Sequence, residues 1–193
     1  IFTYMEAVSL RLLLDLEITE KISRNWLDIF IEMISFLHLE IVRASNLDAR
    51  IAVSTKDGNF FKNIFPSQQY SILNHGVTFQ DFSLSDIEPE ANTLAFVGNF
   101  AHYPNTDAIL YFFQNIWGNI LKEVPKARIY LIGANPPKKI RNLDNGKNVF
   151  VTGEVPDVRP YIQKAAVCIA PLISGAGLRG KVIEYAALRR TFV

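Results

Sequence analysis

The sequence predicts an α/β fold built on parallel sheets, and three observations carry that prediction. Short, near-continuous apolar runs recur in the second half, at residues 93–97, 128–132, 149–151 and 166–170. Helical or crossover segments separate them. Each run ends at or near a glycine. Strands buried on both faces of a parallel sheet read this way, because helices cover both sides. Right-handed crossovers then bring the four strand exits to one edge. Those exits are Gly98-Asn99-Phe100-Ala101-His102, Gly133-Ala134-Asn135, Gly153-Glu154-Val155-Pro156 and Ser174-Gly175-Ala176-Gly177. Ligands of open α/β sheets bind at the carboxyl edge, and glycine there allows close backbone approach.

Residues 1–48 read as helical. The stretch 5–18 is dense in leucine. From Trp26, Leu27, Phe30, Ile31, Ile34, Leu37, His38, Ile41 and Val42 fall at helical spacing, with Asp28, Glu32, Glu40 and Arg43 off the stripe. A membrane-surface helix would carry a basic polar face, so a core-facing helix with a packed His38 is expected. Residues 49–54 read as a strand, 55–58 as a turn and 59–65 as a short helix ended by Pro66. Residues 70–73 read as a strand entering a turn at 74–77. From 78 to 92 the chain is polar and acidic, contains Pro89 and lacks periodicity, as a linker does. The expected organisation is therefore one domain over 1–77, a linker over 78–92 and a second domain over 93–193.

In the second domain Pro104 opens a helix over about 105–124, with Ile109, Phe112, Phe113, Ile116 and Ile120 as its stripe. Pro136-Pro137 and the cations Lys138, Lys139 and Arg141 follow the second strand. Asp157 begins a short helix reaching Lys164. After the fourth strand Pro171 stops the apolar run, and a glycine turn leads to Arg179 and Lys181. Val182, Ile183, Tyr185, Ala186 and Leu188 then begin a helix with Glu184 among them. A strand, a glycine turn and a helix N-terminus beside two cations form a plausible anion-binding corner. Gly175–Gly180 also fits the dinucleotide spacing G-x-G-x-x-G. That fingerprint belongs directly after a strand and needs an acid at the end of the next one. Here residues 171–174 intervene, and Thr191-Phe192-Val193 carries no acid. The glycines could also simply make a tight turn.

The chain has 193 residues, 49% hydrophobic and 20% charged, enough to bury a core. It starts at Ile1 and stops as a strand pattern begins, so a piece of a longer protein is expected. A net charge of +1 gives no reason to expect nucleic acid. Residues 1–85 carry 7 Lys+Arg and 10 Asp+Glu, net −3, whereas 86–193 carry 13 and 9, net +4. A basic second half suits a small anionic ligand. The single cysteine, Cys168, rules out a disulfide framework, fits a reducing cytosol and is expected to be buried packing. No apolar run approaches the roughly 20 residues of a membrane span, and no signal peptide is visible.

Several segments together resemble the C-terminal domain of GT-B-type glycosyltransferases, nearest to family four, also called group one. They are Phe96-Val97-Gly98, Tyr103-Pro104-Asn105, Ala127 through Gly133, Val151 through Val158, and Ala170-Pro171-Leu172 through Gly175 to Glu184. The series covers about half the chain. Ser9-Leu10-Arg11, Ile51-Ala52-Val53-Ser54 and Leu73-Asn74-His75-Gly76-Val77 resemble the tail of the N-terminal acceptor domain and the hinge. The resemblance implies two Rossmann-like domains facing a cleft. It also implies a nucleoside-diphosphate sugar as donor, retention at the anomeric carbon, and no metal or other cofactor. Glu184 matches the second glutamate of the family's pair and would hold the ribose hydroxyls. Gly98, Asn99, Gly133, Ser174, Gly175, Ala176 and Gly177 would approach the pyrophosphate and sugar. Glu154, Val155 and Pro156 would flank the base. Arg179 and Lys181 would neutralise the diphosphate leaving group.

Two departures stand out. Ala176 occupies the place of the first glutamate of the pair. Asn99, Phe100, Ala101 and His102 replace the basic residues often found after the first glycine loop. His102 reads as a loop residue, and His75 as a minor candidate for closing on the donor. The expected function is transfer of a sugar from a nucleoside diphosphate to a glycan, lipid or small-molecule acceptor. The protein would be cytoplasmic, with peripheral membrane contact compatible with the reading, and this chain alone would be inactive. Two alternatives remain open: an NAD-dependent oxidoreductase using Gly175–Gly180, and a non-catalytic binding module that keeps the fold. No catalytic residue and no metal site is assigned.

Overall fold

The computed structural model describes residues 2–4, 12, 24–44, 50–67, 69–74, 76–77, 87–173 and 180–193. These fall into two compact units, one within Ile1–His75 and the other from Gly76 onward.

In the first unit β1 (Phe2–Tyr4), β2 (Arg50–Ala52) and β3 (Ser71–Ile72) pair in parallel in that order. The helical expectation for residues 1–48 is corrected at its start. Phe2 registers with Arg50 and Tyr4 with Ala52. Three residues carry too little periodicity to announce a strand; the pairing partner decides it. The leucine-dense stretch 5–18 lies outside the described residues except for Leu12, which is buried. Helix α1 (Arg24–Ala44) covers the spacing that predicted it. Its stripe is not packed as expected: Leu27, Ile31 and Ile34 are 53%, 56% and 47% exposed. His38 is exposed too. Periodicity identifies an amphipathic helix but not what covers its apolar side.

Helix α2 (Thr55–Ile64) starts earlier than expected, because residues 55–58 form its first turn and not a separate one. Ser54 is the N-cap, its hydroxyl accepting from the Asp57 N–H at 3.1 Å. The buried Asp57 carboxylate accepts from the same hydroxyl. Phe61 on α2 is fully buried and stacks on Tyr70, ring centroids 5.5 Å apart.

The second unit is a four-stranded parallel sheet in the order β6-β5-β4-β7. The strands are β4 (Glu90–Val97), β5 (Arg128–Ile132), β6 (Val149–Gly153) and β7 (Ala165–Cys168). Beyond β7, Phe192 bridges to Cys168 in parallel, so the chain adds to that edge. β4 begins at Glu90, inside the segment expected as linker. Glu90 pairs with Ala165, and its carboxylate meets Arg128 at 3.3 Å and Lys164 at 3.8 Å. Ion pairs hold this polar strand start, which an apolar pattern does not reveal.

The sheet is buried on both faces, as its strands predict. Phe96, Ile129 and Leu131 point into one cluster with Phe100, Ile109, Phe112 and Trp117. Ala95 and Ile132, their alternate neighbours, point into another with Ile162, Cys168, Tyr185 and Leu188. Each fully buried large side chain contributes about 1.5–3 kcal/mol. The first face is covered by a continuous helical run: α3 (Tyr103–Phe112), a π-turn (Phe113–Trp117) and α4 (Gly118–Glu123). The π-turn brings Phe112, Phe113 and Trp117 into mutual ring contact, with centroids 5.7–6.1 Å apart. Short helices α5 (Lys138–Arg141) and α6 (Arg159–Lys164) follow β5 and β6, and α7 (Gly180–Ala187) closes the described chain. α6 starts two residues later than expected. Asp157 instead precedes it and accepts from the Arg159 N–H at 2.9 Å.

Candidate functional site

All four strands run in parallel, so their carboxyl ends share one edge. β5 and β6 lie on one side of β4 and β7 on the other. The strand order reverses between β4 and β7, and a crevice opens at such a switch point.

The three described glycine exits are stitched together by backbone. Gly98 N–H donates to the Ile132 carbonyl and Gly133 N–H to the Gly153 carbonyl, both at 2.9 Å. Phe100 N–H donates to Ala134 O at 2.9 Å. Gly133 has a φ of +147°, and a Cβ there would overlap the Gly98 carbonyl oxygen. Only glycine allows these two exits to approach so closely. Asn135, next on the β5 exit, takes the left-handed conformation at φ +58°, which asparagine tolerates.

Side chains join the same edge. Asn99 Oδ1 accepts from the Ala101 N–H at 3.0 Å and from Asn135 Nδ2 at 3.3 Å. Asn105 Nδ2 donates to the Asn99 carbonyl at 2.8 Å. Lys181 Nζ, from the first turn of α7, donates to Asn105 Oδ1 at 2.6 Å. The same ammonium lies 3.9 Å from the centroid of the Phe96 ring, a cation–π contact. The exits of β4 and β5 and the start of α7 therefore meet in one hydrogen-bonded chain.

Of the expected site residues, this edge brings together Gly98, Asn99, Gly133 and Lys181. Glu184 lies half-buried on α7, one turn beyond Lys181. Glu154 and Pro156 are exposed after β6, while Val155 packs against the Ala95–Ile132 cluster. Ser174, Gly175, Ala176, Gly177 and Arg179 lie outside the described residues, as does His75. His102 is an exposed residue at the N-cap of α3. The sequence places Asn135 in a strand exit, and Asn105 and Phe96 in segments that resemble the family, but it assigns none of the three to the site. The Asn105–Lys181 contact spans 76 positions, which no local spacing could signal.

Burial pushes the Cys168 thiol up to about 12, the nearby Arg190 charge opposing this only partly. Cys168 is therefore packing, not a nucleophile. Among the described residues, no group of three or more His, Cys, Asp or Glu side chains is placed to hold a metal ion. No described helix is long and apolar enough to cross a membrane.

A parallel sheet with this reversal of strand order, and a lysine held at its carboxyl edge, is a Rossmann-type arrangement. The family model described as "Glycosyl transferases group 1" matches residues 91–193, more than half of the chain, and the chain belongs to that family. Three solved structures are similar to it. The crystal structure of TarM matches with a TM-score of 0.67 and 12% identity, over 82% of this chain and 31% of that one. An S. aureus TarM mutant in complex with fondaparinux, alpha-GlcNAc-glycerol and UDP matches at 0.67 and 13%, over 82% and 32%. Sucrose-phosphate synthase from Thermosynechococcus elongatus matches at 0.58 and 16%, over 98% and 48%. The chain thus spans about a third to a half of the structures it matches. At these identities the likeness concerns fold, and the GT-B-type α/β architecture expected from sequence is the one found. No curated protein matches the chain by sequence.

Proposed function

We propose that the chain is the donor-binding part of a retaining, metal-independent glycosyltransferase, with the tail of its acceptor domain at residues 1–77 and a linker that ends where β4 begins at Glu90. A hexosyl group would pass from a nucleoside diphosphate to a glycan, lipid or small-molecule acceptor. The observation that carries this reading is the Lys181–Asn105–Asn99–Asn135 chain at the switch point between β4 and β7. A diphosphate leaving group gains negative charge as the glycosidic bond breaks, and a cation fixed beside it stabilises that charge. Lys181 supplies the cation, and the N-terminus of α7 adds its dipole.

Glu184 would accept from the ribose hydroxyls, with Glu154, Val155 and Pro156 beside the base. Ser174, Gly175, Ala176, Gly177 and Arg179 would complete the pyrophosphate and sugar contacts. Family membership supports the donor class, and the UDP and glycan ligands of the TarM complex fit a nucleotide donor and a glycan acceptor. Retention and metal independence rest on the family resemblance, and a cytoplasmic setting rests on the single cysteine; peripheral membrane contact is part of the same proposal. Ala176, where the family pattern has a glutamate, leaves a non-catalytic relative as the second reading.

The test is the thermal stability of the chain with UDP, GDP, ADP and NAD, each at millimolar concentration. A ligand that binds only the folded state raises the midpoint. Stabilisation by one nucleoside diphosphate and not by NAD is expected, and it names the base. Stabilisation by NAD alone would overturn the reading. Transfer by the full-length protein separates the enzyme from the non-catalytic relative.

A further inference from the structure

Lys181 belongs to α7, yet its ammonium is held by a residue of α3. Asn105 Oδ1 accepts from Lys181 Nζ at 2.6 Å, and Asn105 Nδ2 donates to the Asn99 carbonyl at 2.8 Å. The Phe96 ring lies against the same ammonium. A lysine stem is long and flexible, and its ammonium acts as a fixed point charge only where its surroundings fix it. Here an aromatic face and a carboxamide do so together. Gly98 is part of the arrangement. A Cβ at Gly98 would come within 2.8–3.0 Å of the Asn105 carboxamide. The missing side chain at 98 therefore makes the space that Asn105 fills.

We propose that Asn105 is a positioning residue for the donor's diphosphate, an inference that rests on the donor-site reading above. It fixes the Lys181 ammonium at the β4 exit and ties the Asn99 loop to it before the nucleotide arrives. Fixing the cation in advance removes part of the ordering cost of binding. A neutral carboxamide suits this task because it orients the ammonium without cancelling its charge. A carboxylate at the same place would pair with Lys181 and compete with phosphate.

The test uses the full-length protein and calorimetric affinities for UDP, GDP and ADP, each compared with its own nucleoside. Asn105→Ala is expected to weaken the best-bound diphosphate about tenfold, the size of a lost hydrogen bond to a charged group. Nucleoside affinity should stay within about twofold, since the base and ribose do not depend on Lys181. Asn105→Asp keeps the side-chain shape but should weaken the diphosphate more than Asn105→Ala does. A merely structural role predicts the opposite order. Adding Asn105→Ala to Lys181→Ala should cost less than Asn105→Ala costs in the wild type, because the shared contact is already gone and only the tie to Asn99 remains to lose.

If Lys181→Ala leaves diphosphate affinity unchanged, or if wild type binds none of the three, the donor reading falls and this inference with it. If Lys181→Ala weakens binding while Asn105→Ala does not, only the positioning role is overturned. Equal losses for diphosphate and nucleoside, or a milder effect of Asn105→Asp than of Asn105→Ala, overturn it as well. Should Asn105→Ala fail to fold, Asn105→Asp decides alone: selective loss of diphosphate supports the role, and unchanged affinity contradicts it.

Discussion

The Tyr185 hydroxyl accepts a hydrogen bond from the backbone N–H of Val97 at 3.0 Å, across 88 positions of sequence. The reason lies in the unequal lengths of β4 and β7. Ile169 N–H still donates to the Ala95 carbonyl at 2.8 Å. The next β4 donor on that side, at Val97, meets Tyr185 instead of a strand. Tyr185 is fully buried, and burial raises its hydroxyl above the ordinary tyrosine range, the Val97 bond opposing this in part. Tyr185→Phe would leave the Val97 donor unpaired. We expect a loss of about 1–3 kcal/mol, read as a lower urea midpoint with an unchanged slope.

Gly133 should tolerate no side chain. Its φ of +147° is disfavoured for other residues, and a Cβ would strike the Gly98 carbonyl oxygen, which is backbone and cannot swing away. Gly133→Ala is expected to cost about 3 kcal/mol or more. Gly146, also at positive φ but with open space around it, gives the contrast. There alanine meets only backbone strain, about 1–2 kcal/mol. Equal losses at the two positions would contradict the close approach of the β4 and β5 exits.

Cys168 should be silent to thiol reagents in the native protein. It is fully buried, and its thiol is pushed up to about 12, so almost no thiolate exists at neutral pH. As the chain's single cysteine, it makes labelling a clean count. No modification is expected in buffer, and one equivalent in denaturant. Rapid native labelling would contradict the packing of β7.

The Asp157–Arg159 pair sets a small acid dependence. The Arg159 side chain, then its backbone N–H, hold the Asp157 carboxyl below its ordinary value. A depressed folded-state value stabilises above the unfolded value, near 4, and is lost as pH falls through the folded one. The Asp157 side chain is 40% exposed, so solvent screens the pair and its contribution is below about 1 kcal/mol. Asp157→Asn should lower stability slightly at pH 7, and the difference should vanish as Asp157 becomes protonated well below pH 4.

Glu184→Ala tests the ribose assignment. Loss of a carboxylate that accepts from ribose hydroxyls should weaken a bound nucleoside diphosphate by about tenfold or more. The variant should also lose the preference for UDP, GDP or ADP over its 2′-deoxy counterpart. Unchanged affinity would move Glu184 to the helix surface.

Much of the second unit is legible in the sequence because two-sided burial writes itself as apolar runs. Arg128–Ile132 has the predicted bounds. Where polar residues start an element, as at Glu90 and Thr55, the runs mislead, because ion pairs and a serine cap hold those starts. Phe2–Tyr4 escapes for a different reason: a short strand exists only through its partner. At the site, glycines mark the strand exits, whereas Asn105 gives no local sign. Its role arises from folding α3 beside α7, and sequence spacing carries no record of that.

The measurement that tests the central claim most directly is an amide-resolved NMR titration with UDP, GDP, ADP and NAD. A donor site at the β4–β7 switch predicts that one nucleoside diphosphate, and not NAD, shifts the amides of Gly98, Asn99, Gly133 and Lys181 together. Shifts confined to the β1–β3 unit, or shifts at Gly98 and Gly133 produced by NAD alone, would contradict it.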